Sequence, residues 1–304
     1  MIRLGVYFRG MSMGAADLVP GVSGGTMALI TGVYEELIDT LGGLGPHLLG
    51  VWRREGLVAA WRAANLTFLV TLLAGIFTSV ALLSHLITWL LDDHPVPVWA
   101  FFSGLILASI ALVLAPLRQR GLAQWLALLV GIGAALAIAL APGIDTVDAP
   151  VWVFFASGAL AICAMILPGI SGSFILLLLG MYQPILEAVN AGRYLHILAF
   201  LAGCATGLLS FVHLLKWLLH HYHDTLMALL AGFMGGSLLV LWPWREAGEH
   251  GQRGDWLTPG QYAHLTGLPA QVWLAALMVA VGVLAVWLLY RAAPVHNVAQ
   301  QSSP

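Results

Sequence analysis

Six runs of about 20 apolar residues divide the chain: Leu66–Leu91, Val98–Leu117, Leu122–Ala141, Leu195–Leu219, Leu226–Trp242 and Val272–Tyr290. Each has the length and apolarity of a helix that crosses a bilayer. The fifth is the shortest and is expected to borrow neighbouring residues. Two further apolar regions, Val6–Leu41 and Trp152–Val189, are interrupted near their middles by Pro20-Gly21-Val22-Ser23-Gly24 and Pro168-Gly169-Ile170-Ser171-Gly172. A Pro-Gly pair breaks a helix, and lipid tolerates broken backbone only where protein or a water-filled cavity satisfies the freed polar groups. These two regions are therefore predicted to be re-entrant hairpins: a half-helix in, a turn at the motif, a half-helix back.

The two halves align. At an offset of 148 residues Gly10 matches Gly158, Ala16 matches Ala164, Gly32 matches Gly180 and Tyr34 matches Tyr182. At an offset of 128 Gly75 matches Gly203, Thr78 matches Thr206, His85 matches His213, Trp89 matches Trp217 and Gly104 matches Gly232. The difference is a surplus in the first half around Gly42–Asn65. Arg53, Arg54, Glu55 and Arg62 mark that stretch as an interfacial amphipathic segment. The fold expected is thus an all-α polytopic membrane protein forming one membrane domain over residues 1–304. It would contain two repeats, about 6–141 and 152–291, each one re-entrant hairpin plus three spans. Three is odd, so the second repeat enters the membrane upside down.

Charge tests this reading. With a cytoplasmic N-terminus, Arg3, Arg9, Arg53, Arg54, Arg62, Arg118, Arg120, Lys216 and Arg291 fall inside, and only Arg193, Arg245 and Arg253 fall outside. That is the positive-inside bias, and it places both termini in the cytoplasm. Arg3 and Arg9 precede no separate signal-peptide core, so insertion is expected to rely on the mature helices. Overall, 60% of the 304 residues are hydrophobic and 9% are charged, against about 25% charged in a soluble domain. Mean hydropathy is +0.92. The net charge of −2 is uninformative about a nucleic-acid partner, but no basic tract is present and aromatic residues are not interleaved with Lys or Arg, so none is expected. Cys163 and Cys204 read as small core residues. No cofactor is implied. The cluster His220, His221, His223 and Asp224 reads as a solvated loop rather than a metal site, and the oligomeric state is left open.

The motifs supply the candidate chemistry. Ser23 and Ser171 are placed to cap the half-helices that follow, and a helix N-terminus attracts anions such as phosphate. The expected substrate-binding set is Ser23, Gly24, Gly25, Thr26, Tyr34, Ser171, Gly172, Ser173 and Tyr182. Close packing of helices is the alternative role for the glycines. Asp17, just before the first break, is costly in a membrane and a coupling candidate; the equal alternative is that it caps local N–H groups or pairs with Arg9. The repeat partner of Asp17 is Met165, so its role is asymmetric. Glu35 and Glu36 at the foot of the first hairpin, and the matched His85 and His213, are further candidates for coupling or gating. For the last four, solvated ends or interface anchoring is the competing role.

The segments from Ala15 to Thr26 and from Leu167 to Ser173 resemble the PopT family of bacterial polyprenyl-phosphate translocases, and the similarity extends from about Arg9 to Tyr290. The resemblance implies a flippase that returns undecaprenyl phosphate, the lipid carrier of cell-wall precursors, from the outer to the inner leaflet of the plasma membrane. By resemblance the paired motifs are the central re-entrant site. The second copy has Ser173-Phe174 where the first has Gly25-Thr26, so the halves need not contact phosphate equally. Two other readings fit the pattern: a transporter of a small soluble anion, and, less well, an intramembrane serine hydrolase suggested by the duplicated Gly-x-Ser-Gly pattern.

Overall fold

A computed structural model describes residues 4–19, 23–117, 121–141, 149–245 and 256–292. Pro20, Gly21 and Val22 of the first motif lie outside them, as do Arg3, Arg118, Arg120 and Arg253. Apart from an isolated bridge between Arg245 and Trp256, the described secondary structure is helical. Helices α1 (Leu4–Asp17), α2 (Gly24–Ile30) and α3 (Tyr34–Gly42) form the first broken region. Then α4 (His47–Glu55) and α5 (Leu57–Ala63), which bury no residue, form the surplus segment. Three long helices follow: α6 (Leu66–Asp93), α7 (Pro95–Leu114) and α8 (Leu122–Leu140). The second broken region is α9 (Val151–Ile166), α10 (Gly172–Leu178) and α11 (Tyr182–Asn190). The chain ends in α12 (Tyr194–His221), α13 (His223–Ser237), α14 (Pro259–Thr266) and α15 (Val272–Ala292).

Five of the expected spans, α6, α7, α8, α12 and α15, are long and apolar enough to cross a membrane. The sixth differs. Its 15 helical residues reach only about 22 Å, short of the roughly 30 Å hydrocarbon core. After Gly235-Gly236-Ser237 the backbone tightens into three-residue turns, with Leu238 N–H bonding Gly235 O and Leu241 N–H bonding Leu238 O.

The broken regions also differ from the simple hairpin. In each, the return arm is two short helices rather than one. Helices α10 and α11 meet at 100°. The bend follows Gly180, with φ +64°, and the matched Gly32 has φ +72° between α2 and α3. L side chains resist that backbone region, and glycine does not.

Glycine also sets the helix packing. A Cβ on Gly10 or Gly75 would fall within 3.0 Å of the opposing backbone where α1 crosses α6, and one on Gly158 or Gly203 would do so where α9 crosses α12. Gly104 and Gly282 play the same part between α7 and α15, as do Gly131 and Gly232 between α8 and α13. Lipid is as apolar as leucine, so membrane helices associate through close backbone approach at small residues. The core between these pairs gathers Phe68, Leu72, Ile106, Leu215, Leu230 and Met234.

Candidate functional site

The two motifs meet. Thr26 Oγ1, fully buried, accepts a hydrogen bond from Gly169 N–H at 3.0 Å. Ser23, 1% exposed, lies with its hydroxyl 3.3 Å from Leu167 O and 3.4 Å from Met165 O, and donates to that carbonyl pair. A Cβ on Gly25 would sit 2.8 Å from Ile166 O, and one on Gly169 would sit 2.9 Å from the Met234 backbone. Breaks more than 140 residues apart in sequence thus satisfy each other's polar groups. This is what irregular backbone requires inside an apolar core.

The first copy is closed upon itself. Ser23 is the N-cap of α2, and its hydroxyl accepts from Gly25 N–H at 3.1 Å. Asp17, at the end of α1, accepts from Gly24 N–H at 2.6 Å. A carboxylate therefore already occupies the amide end of α2 and bridges the break. Six of the seven α2 residues are buried.

The second copy is open. Ser171 stands at the matching N-cap of α10, yet no side chain caps that helix. Its hydroxyl instead lies 2.8 Å from the exposed Ser173 hydroxyl. In α10 only Gly172 is buried. Ser171, Gly169 and Ser237 line a recess of about 20 Å³, walled by Ala139, Phe174 and Val240; that volume admits one water. Neither Ser23 nor Ser171 bonds a histidine or carboxylate among the described residues.

The tyrosines divide the same way. Tyr34 is 1% exposed with its hydroxyl unpartnered, whereas Tyr182 is 39% exposed. His85 and His213 lie on exposed faces of α6 and α12, and His213 Nδ1 contacts Leu209 O of its own helix.

Charges at the foot of the first hairpin form a latch that sequence reading missed. Asp39 of α3 pairs with Lys216 of α12 at 3.1 Å. Glu35 pairs with His223, at the start of α13, at 3.1 Å, and His223 also meets Asp224 at 3.1 Å. Glu36 and Thr40 both accept from the Asn65 side chain, at 3.1 and 3.0 Å. Asn65 precedes α6 in a left-handed conformation, φ 47°. His223, read above as part of a solvated loop, is thus committed to Glu35, and the described residues hold no group of three or more metal-ligating side chains. The Asp39 counterpart, Glu187 of α11, is exposed and in no ion pair among the described residues.

Titration of this latch has a definite sign. The hydrogen bond to Glu35 raises His223 to about 9, against the opposing effect of burial. The same bond lowers Glu35 below the usual glutamate value. A raised histidine stabilises the folded contact fully below its unfolded value of about 6.5 and loses that contribution as pH rises through about 9. The lowered glutamate contributes above its unfolded value and is lost as pH falls. The contact is therefore strongest in mildly acidic to neutral solution. A cysteine at Gly42, beside Lys216, is expected to gain labelling rate between pH 7 and 9.5 beyond what the thiol's own ionisation gives, and His223→Ala should abolish that excess. Both groups are substantially exposed, so solvent screening keeps the effect small, about twofold to fivefold in labelling rate.

Comparison with known proteins gives a consistent family. The model of a family described as undecaprenyl phosphate translocase-like matches residues 13–255. A polyprenyl-phosphate transporter of Vibrio cholerae is 46% identical over 296 residues, covering 94% of this chain and 95% of that protein. A polyprenyl-phosphate transporter of Staphylococcus aureus is 30% identical over 252 residues, covering 77% of this chain and 84% of that protein. No solved structure matches the chain. A multi-pass arrangement of apolar helices, two broken motifs in contact and a match over most of its length agree: the chain belongs to the undecaprenyl phosphate translocase-like family.

Proposed function

We propose that this protein carries a polyprenyl phosphate, undecaprenyl phosphate in particular, between the leaflets of the bacterial plasma membrane, returning it to the cytoplasmic side. The observation that carries the reading is the direct contact of the two Pro-Gly-x-Ser-Gly motifs at Thr26 and Gly169. The charged head group is costly to desolvate, whereas its prenyl tail is content in lipid. The protein need only offer the head group a polar passage beside the bilayer. A groove of about 360 Å³ along α7, α8 and α13, lined by Leu114, Leu117, Trp125 and Leu128, is apolar enough to accept a tail.

Inverted repeats supply the two faces of that passage. The cross-packing supports them: α8 of the first half packs on α13 of the second, and α15 of the second packs on α7 of the first. Two such halves rock about a shared site. The unlike states of the two hairpins fit one end of that motion. The latch through Asp39 and Glu35 holds the first hairpin shut, and the second leaves Ser171, Ser173 and Tyr182 accessible. With the termini cytoplasmic, as charge suggests, this form faces outward. In it Asp17 does for α2 what a phosphate would do on the open side. The substrate is then held by Ser171, Gly172, Ser173 and Tyr182 first, and by Ser23, Gly24, Gly25, Thr26 and Tyr34 once the first hairpin opens. Movement is coupled to protons through Asp17.

The test is inward movement of a fluorescent prenyl phosphate in proteoliposomes. The purified protein is expected to move it at least about tenfold faster than protein-free vesicles, with no movement of inorganic phosphate, and faster still down an imposed pH gradient. Rates equal to those of empty vesicles sink the carrier reading. Uptake of inorganic phosphate instead favours a soluble-anion transporter. Movement indifferent to the gradient removes the coupling.

A further inference from the structure

Beyond α13, on the side where the second hairpin is open, the chain builds an aromatic cluster around one arginine. Trp242 and Trp256 are 39% and 41% exposed, and Trp244 is buried. Their indole N–H groups bond Leu257 O at 2.9 Å, Leu239 O at 3.0 Å and Ala270 O at 2.7 Å, respectively for Trp242, Trp256 and Trp244. Tryptophan concentrates at the level of lipid head groups. Arg245 lies in this belt, its Cζ 5.7 Å from the centroid of the Trp256 ring. Its Nη2 donates to Leu239 O. Its Nε is buried and has no hydrogen-bond partner among the described residues.

Among the described residues the usual countercharge is lacking: no carboxylate pairs with Arg245. Desolvation alone lowers its pKa, to about 10, so it stays cationic at neutral pH. A half-buried guanidinium without an anion is costly, and an incoming anion relieves that cost. The location fits such a role. Leu239, which accepts from Arg245, is followed by Val240, which walls the recess containing Ser171 and Ser237.

We propose that Arg245, tied to the residue before Val240 of the recess wall, is the entry receptor for the phosphate monoester head group and binds it before the motifs do. This rests on the lipid-phosphate reading above. A monoester carries about −1.5 to −2 charges at neutral pH, and the planar guanidinium offers paired donors that match its oxygens. Bulk phospholipids are diesters with one charge and one fewer free oxygen. Arg245 therefore selects prenyl phosphate over the surrounding lipid, which an interface anchor would not do.

The experiment is equilibrium binding of tritiated farnesyl phosphate to the full chain in phosphatidylcholine nanodiscs, for wild type, Arg245→Gln and Arg245→Lys. Farnesol and phosphatidylglycerol serve as competitors. The half-saturating concentration is expected to rise at least about tenfold in R245Q, consistent with loss of a charge-assisted bond. In R245K, which keeps the charge and loses the fork, a smaller rise of about threefold is expected. Farnesol and phosphatidylglycerol should compete poorly. If R245Q is not monodisperse, R245K decides the matter by the same comparison. Wild-type affinity in the variants, or competition by phosphatidylglycerol as effective as by prenyl phosphate, overturns the role of Arg245 and leaves the carrier reading standing. Failure of wild type to bind farnesyl phosphate removes both.

Discussion

Gly75→Leu and Gly203→Leu will leave little folded protein in detergent, while Gly133→Leu will express and run as wild type. A Cβ at Gly75 meets the Tyr7 carbonyl and the Met11 amide, and one at Gly203 meets Phe155 backbone atoms, all within 3.0 Å. These obstacles are main chain, so no rotamer change relieves them. Either α6 moves off α1 and α12 off α9, or the helices fail to dock. Overpacking a well-packed core costs about 1–3 kcal/mol, and backbone collision along a whole crossing should exceed that. Separation would also uncouple Asp17, at the end of α1, from α2. Gly133 on α8 has nothing within 4 Å of the same position, so it controls for bulk and hydrophobicity alone. Size-exclusion profiles and thermal aggregation curves of tagged protein would check the set. Gly75→Leu and Gly203→Leu should fall together, since they occupy matched crossings. Normal folding of either one would contradict the packing described.

Asp17→Ala will abolish prenyl-phosphate movement and lower stability, whereas Asp17→Asn will keep the fold and lose the response to a pH gradient. The carboxylate joins the end of α1 to Gly24 N–H at 2.6 Å across a stretch that contains Pro20. Without an acceptor, that buried amide has lost its partner at a cost of about 1–3 kcal/mol, and α2 loses the negative charge near its amide end. Alanine also vacates the space against which Gly24 packs, since a Cβ there would lie 2.5 Å from Asp17 Oδ2. Asparagine retains the accepting oxygen and the shape. It cannot gain or release a proton, so a wild-type gradient response in Asp17→Asn would exclude Asp17 as the coupling group. Thermal stability separates the structural part of the effect from the transport part, which only the flux assay reads.

Much of this protein is written locally. The apolar runs, their lengths and the Pro-Gly interruptions are properties of contiguous residues, so the sequence is enough to establish a multi-helix membrane protein with two matched breaks. The family follows from the same segments. Two misjudgements also have local causes. The Leu226–Trp242 run looks long enough to span because hydropathy does not register that Gly235-Gly236 ends the α-helix. The bent return arms depend on the positive φ of Gly32 and Gly180, which a glycine permits but does not announce.

What tertiary structure decided is which polar groups are engaged. Ser23 and Ser171 look equivalent in sequence, yet one caps its helix and ties to Leu167, and the other faces an open recess. Glu35 and His223 are 188 residues apart, and Thr26 and Gly169 are 143 apart. Such partners are chosen by how two halves dock, and docking is governed by glycine crossings and bends whose geometry no local pattern encodes. Arg245 shows the same division. In sequence it is one of three cations expected on the outer side, and only the fold reveals an arginine beside tryptophans with a buried Nε unpaired among the described residues.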